Sequence, residues 1–122
     1  MKILAAVDLS EDQTRMIKQT ATWAERLYAT VDLMYVSDST DHDLKRLESL
    51  MAFMPTGLRG SCWIRQGDPG ETVVAAASEY DAVIVATHGR TGVTRMLMGS
   101  VAERVIRQAP CPVLVLRLSL VG

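Results

Sequence analysis

The sequence predicts a doubly wound α/β domain: an open, mostly parallel five-stranded sheet in the order 3-2-1-4-5, with helices on both faces. Three observations carry this expectation. Five short apolar runs follow one another without strict alternation, the pattern of strands buried on both faces of a parallel sheet. Four segments of helical spacing separate them, so successive strands are joined by right-handed crossovers. The most loaded loops follow the first and fourth runs, and a reversal of strand order between those two places the loops side by side.

The first run, "KILAAVD" (Lys2 to Asp8), is a buried strand that passes at once into a helix. Ser10 reads as that helix's cap with Gln13 reaching back, and Met16, Ala21, Ala24 and Leu27 recur at helical spacing. "TVDLMYVSD" (Thr30 to Asp38) is the second strand; Thr40 and Asp43 open a helix carrying Leu44, Leu47, Met51 and Met54, which Pro55 and Gly57 end. "LRGSCWIRQG" (Leu58 to Gly67) is the third strand. "DPGE" then supplies Asp68 as cap, Pro69 at the first helical position and Glu71 in the first turn of a helix reaching about Tyr80. "DAVIVAT" (Asp81 to Thr87) and "CPVLVLRL" (Cys111 to Leu118) are the last strands, with a helix from about Ser100 to Gln108 between them.

Composition narrows the function classes. The chain has 122 residues and 48% apolar content, enough for one core without metal or disulfide staples, so a single domain over 1–122 is expected. Thirteen basic against 14 acidic side chains make no overall field for nucleic acid or an anionic membrane surface. Cys62 and Cys111 lack metal or redox spacing and read as buried reduced thiols. The N-terminus has no signal-peptide pattern and no apolar run is long enough for a bilayer, so a cytoplasmic location is the expectation.

Chemistry concentrates in "ATHGRTGVTRMLMGSVAERV" (Ala86 to Val105) and in "DLSED" (Asp8 to Asp12). The helix start at "GSVAE" offers free amides and a positive dipole end, a ready anion site with phosphate the obvious occupant. Gly89, Gly92 and Gly99 permit close approach, Ser100 adds a hydroxyl, and Arg90 or Arg95 adds charge. Neither the Walker loop nor the dinucleotide-binding glycine pattern is present. Asp8, at the end of a central buried strand, needs a partner there and reads as a ligand contact, or else as a cap of the first helix. Ser100 and Glu103 also spell a capping box that is useful with no ligand at all. His88 lies in the same region, but a single histidine makes no acid/base constellation, and no catalytic or metal-binding set is assigned.

Taken together, "AAVD", "MYVSD", "ATHGRTGVTRMLMGSVAERVIRQAPCPVLVL" and the strand order resemble the universal stress protein family along nearly the whole chain. The resemblance implies a Rossmann-like fold of the adenine nucleotide alpha hydrolase type. It also implies a site for ATP, or for AMP or ADP, accompanied by Mg2+. In the family's nucleotide-binding members the motif is Gly, two residues, Gly, nine residues, Gly and then Ser or Thr; here that register falls on Ala86, Gly89, Gly99 and Ser100, with alanine replacing the first glycine. The resemblance implies phosphates on the loop from Gly89 to Ser100 and the helix start that includes Gly99, with Val101 following the phosphate-binding serine; His88 and Arg90 lie in the same candidate site. Asp8 holds the ribose side, Ala6 and Val7 line the end of the first strand, and Val36 meets adenine through its backbone. The family also implies homodimers joined through the last strand, whose apolar edge invites pairing with another chain.

Three function classes follow: a nucleotide-binding stress or signalling protein whose partner affinity changes with occupancy, a slow ATP hydrolase, and a nucleotide-free dimeric interaction protein. Ala86 keeps the third open. A hydrolase would want a metal-binding carboxylate and a group that places water, for which Asp8 and His88 are the obvious candidates.

Overall fold

A computed structural model describes residues 1–9, 13–37, 41–89 and 99–119. The chain runs β1 (Lys2–Ala6), α1 (Thr14–Arg26), β2 (Thr30–Val36), α2 (Asp41–Met51), a single 3-10 turn (Thr56–Leu58), β3 (Arg59–Arg65), α3 (Pro69–Ala77), β4 (Ala82–Gly89), α4 (Ser100–Gln108) and β5 (Val113–Ser119). All four strand pairings are parallel, and the order is β3-β2-β1-β4-β5, as expected from the sequence.

The period of two along each strand sorts the core onto two faces. Ile3, Ala5 and Val7 point to one side with Leu33 and Ile84, and the buried stripes of α1 (Met16, Ile17, Ala21, Ala24) and α2 (Leu47, Met51) cover them. Leu4, Met34, Val83 and Val85 point to the other, where α3 supplies Val73 and Ala77 and α4 supplies Ala102 and Val105. Both faces of the central strands are therefore buried, which is why their sequences show no polar alternation.

Several boundaries differ from the sequence expectation. β1 ends at Ala6 and α1 begins only at Thr14, so strand does not pass directly into helix. Gln13 occupies the N-cap position without a side-chain cap bond, so the helix does not start at the Ser10 box; Ser10 itself lies outside the described residues. β2 stops at Val36, α3 at Ala77, and α2 at Met51, although Met54 stays buried in the turn beyond. β4 runs on to Gly89, because β5 pairs with it in register to Ser119. Asp68 caps α3 as expected, accepting from the Glu71 amide at 2.9 Å, with Pro69 at the first helical position. The two cysteines are free but only half-buried, and burial pushes both thiols up from their ordinary value.

One buried carboxylate had no counterpart in the sequence reading. Asp32 in β2 is 5% exposed and accepts from the Ser61 amide at 2.8 Å, the Trp63 indole at 3.1 Å and the Tyr80 hydroxyl at 2.5 Å. Burial would raise its pKa, but these donors and the Lys2 ammonium outweigh that and hold the carboxyl below its usual value. Burial and the same hydrogen bond push the Tyr80 hydroxyl well up. The β3 backbone approaches this carboxylate so closely that a Cβ at Gly60 would stand 2.0 Å from Asp32 Oδ1, so only glycine fits there.

Candidate functional site

The sheet opens where its order reverses. β1 and β4 pair only from Ile3 to Ala5 and from Ala82 to Ile84, whereas β4 and β5 stay paired to Gly89 and Ser119. Beyond Ala5 and Ile84 the two central strands are no longer paired, and the helices that follow them lie on opposite faces, α1 on one and α4 on the other. A cavity of about 590 Å³ occupies this crevice, within the range of small-molecule sites.

Eight of the residues expected at the site line the cavity: Ala6, Val7, Asp8, Val36, Ala86, Gly99, Ser100 and Val101. His88 and Gly89 are described only as the backbone end of β4, and Arg90 lies outside the described residues, as do Gly92 and Arg95. Asp8 departs from its expected setting. It is exposed, two residues past the end of β1, so no burial penalty obliges a ligand to pair with it. Its claim to the site rests on its position at the rim.

The α4 start has the features of an anion-accepting end. Gly99 is the N-cap with φ −60 and ψ 155, Ser100 is the first helical residue, and the first intrahelical bond runs from the Glu103 amide to the Gly99 carbonyl at 3.1 Å. The Ser100-to-Glu103 capping box does not form, because Ser100 sits one position too late and the Glu103 carboxylate takes Arg107 at 2.6 Å. The amides of Ser100, Val101 and Ala102 thus have no intrahelical acceptor, and all three residues line the cavity. α3 also brings its N-terminus to the cavity through Pro69, but that end carries its own carboxylate cap, Asp68. Arg104 from α4 pairs with Asp68 at 3.4 Å and Glu71 at 3.0 Å, tying the two helix starts together.

Gly99 has no conformational need to be glycine. Its backbone is extended, and a Cβ built there would meet nothing within 4 Å among the described residues. The space beside it belongs to the cavity. Ala86 packs its methyl group against the core beneath α1 and α2 while its residue lines the cavity wall.

On the far side, Val7 donates its amide to the Met34 carbonyl at 2.9 Å and Ser37 donates to the Arg65 carbonyl at 2.8 Å. Because a parallel ladder alternates sides along a strand, the amide and carbonyl of Val36 face the β1 side, past the last bond of that ladder among the described residues. That is a donor and acceptor pair turned to the cavity. The rim here is held by α2: Arg46 donates to the Leu9 carbonyl and lies 3.9 Å from Asp43, which accepts from the Ser37 hydroxyl at 3.1 Å.

Sequence reasoning missed several lining residues, among them Gln13, Met16, Met34, Tyr35, Val73 and Thr87. The strand residues follow from alternation: Met34 shares a strand face with Val36, and Val85 shares one with Thr87. Among the described residues, the Gln13 amide nitrogen and the Thr87 hydroxyl are buried and have no hydrogen-bond partner. No group of three or more His, Cys, Asp or Glu side chains able to hold a metal ion stands among the described residues.

The fold and crevice define the class: a doubly wound α/β domain with a ligand-sized cleft at its topological switch point, one helix N-terminus open to it. The family model of the universal stress protein family matches residues 55–117, just over half of the chain. The universal stress protein MJ0531 of Methanocaldococcus jannaschii is 46% identical over 54 residues, covering 43% of this chain and 32% of that protein. Among solved structures, a universal stress protein in complex with cAMP superposes with TM-score 0.75 at 18% identity, covering 95% of each chain. One from Archaeoglobus fulgidus in complex with dAMP superposes with TM-score 0.71 at 22% identity, covering 94% of this chain and 96% of that one. The chain belongs to the universal stress protein family. Its matched stretches span between 32% and 64% of the first curated relatives. No helix among the described residues is long and apolar enough to cross a membrane.

Proposed function

We propose that this protein binds an adenine nucleotide, ATP or its mono- or diphosphate, in the β1/β4 crevice and acts in stress response or signalling by changing partner affinity with occupancy. The observation that carries the reading is Gly99: a glycine whose backbone suits any residue and whose added Cβ would meet nothing within 4 Å among the described residues, next to three amides without intrahelical acceptors. Phosphates lie on Gly99, Ser100 and Val101, and His88, Gly89 and Arg90 are assigned to the same phosphates. The ribose lies toward Asp8, beside Ala6 and Val7, and the adenine edge meets the Val36 amide and carbonyl. Fold relatives solved with cAMP and dAMP support adenine as the base. The methyl group of Ala86 is taken up in core packing, which supports a cleft still open to the nucleotide. Asp8, the carboxylate among the residues lining the cavity, would hold Mg2+ there, which would neutralise phosphate charge.

The chain pairs with a second copy through β5, an edge strand with Val115 36% exposed. A cytoplasmic location and one domain over 1–122 complete the reading. Calorimetric titration of nucleotide-stripped protein with ATP, AMP and GTP in magnesium tests it. Adenine-selective binding is expected, and no heat at millimolar ligand leaves the nucleotide-free dimeric module in its place. A phosphate-release assay on the same samples separates a switch from a slow hydrolase.

A further inference from the structure

Gln13 is buried, 4% exposed, at the N-cap of α1, yet its side chain caps nothing. Its amide nitrogen has no partner among the described residues. A buried amide nitrogen whose donors meet no acceptor is a standing cost unless something else meets it, and leucine or methionine at this position would not carry that cost. The residue lines the crevice, and its carboxamide turns about its last bond at little cost, so the cavity is the place from which a partner can come.

Its location also says which end of a ligand it meets. Gln13 borders a second, shallower groove against α2 with Arg46, Ser49 and Leu50, which puts it on the β2 side of β1, beside Tyr35 and Val36. The α4 start stands over β4 on the opposite face. Building on the nucleotide reading above, we infer that Gln13 is a specificity-determining contact: its Nε2 donates to an acceptor on the nucleoside, a ring nitrogen of the base or a sugar oxygen, and not to phosphate.

The test is titration of the intact protein and of Gln13→Met with adenosine, AMP and ATP, together with thermal melting of the unliganded forms. Gln13→Leu, which also removes the donors but fills the space with a branched apolar side chain, guards against a packing defect in the first variant. Expected is a loss of roughly tenfold in affinity that is equal for all three ligands, with an unliganded midpoint unchanged or raised, because the orphan amide is gone. Affinities within twofold of the unsubstituted protein overturn the inference. So does a loss that grows with phosphate number, and so does a midpoint lowered in step with affinity, the mark of a structural residue. If the unsubstituted protein binds none of the three, the nucleotide reading itself fails, and that outcome is read before any variant is compared.

Discussion

Replacing Gly99 by aspartate separates a ligand-driven glycine from a structural one, because the two roles predict opposite signs. In the unliganded protein φ −60 and ψ 155 suit any residue, and the new Cβ meets nothing within 4 Å among the described residues. Aspartate is a better N-cap than glycine by a few tenths of a kcal/mol, and a carboxylate at the positive end of α4 adds ~0.3–1 kcal/mol. Stability therefore rises by about 0.5–1 kcal/mol, a gain of roughly 3 °C in a domain of this size. The same carboxylate would stand about 5 Å from a phosphate seated on the Ser100 and Val101 amides. At an effective dielectric of about 20, each phosphate charge at that distance costs about 3 kcal/mol, so affinity falls more than a hundredfold. Thermal melting and calorimetry with ATP read both signs on one sample. Undiminished ATP affinity in the variant refutes the phosphate assignment, and a destabilised variant refutes the claim that the glycine is spare.

Other perturbations reach neighbouring parts of the molecule. Tyr80→Phe removes one donor from Asp32, costing about 1.5 kcal/mol at neutral pH, measured by denaturant unfolding. The folded-state pKa of Asp32 is depressed, so its contribution is complete above the ordinary value of 3.8 and is lost as pH falls through the lower folded value. In the variant that loss begins at higher pH, and an acid-unfolding midpoint that does not move upward contradicts the pairing. Arg46→Ala releases the Leu9 carbonyl beside Asp8 and should weaken nucleotide binding several-fold with under about 1 kcal/mol lost in stability, checked by the same titration. Val115→Lys should convert a dimer into a monomer in light scattering at micromolar concentration; a monomeric unsubstituted protein would remove the edge-strand pairing.

How much of this was legible in the sequence differs by element. The strand order and α4 followed from unbroken apolar runs and the "GSVAERV" start, because burial on both faces leaves a plain one-dimensional signature. The start of α1 did not follow. Ser10 and Gln13 satisfy the spacing of a capping box, yet Gln13 itself takes the N-cap position and the helix begins at Thr14. The capping-box reading therefore hid Gln13, whose meaning depends on an unpaired atom that spacing cannot display. Ser100 and Glu103 were misleading for a related reason: Gly99 takes the cap position and Arg107 the carboxylate. Asp32 was invisible because its three donors come from positions 61, 63 and 80, brought together only by the fold.

The most direct test of the central claim is an amide chemical-shift map of isotope-labelled, nucleotide-stripped protein titrated with ATP. The account predicts the largest shifts at Gly99, Ser100 and Val101, a second group at Val7, Asp8 and Val36, and quiet amides around Asp32, Trp63 and Tyr80. Shifts centred on Asp32, Trp63 and Tyr80, or none at millimolar ATP, would contradict it.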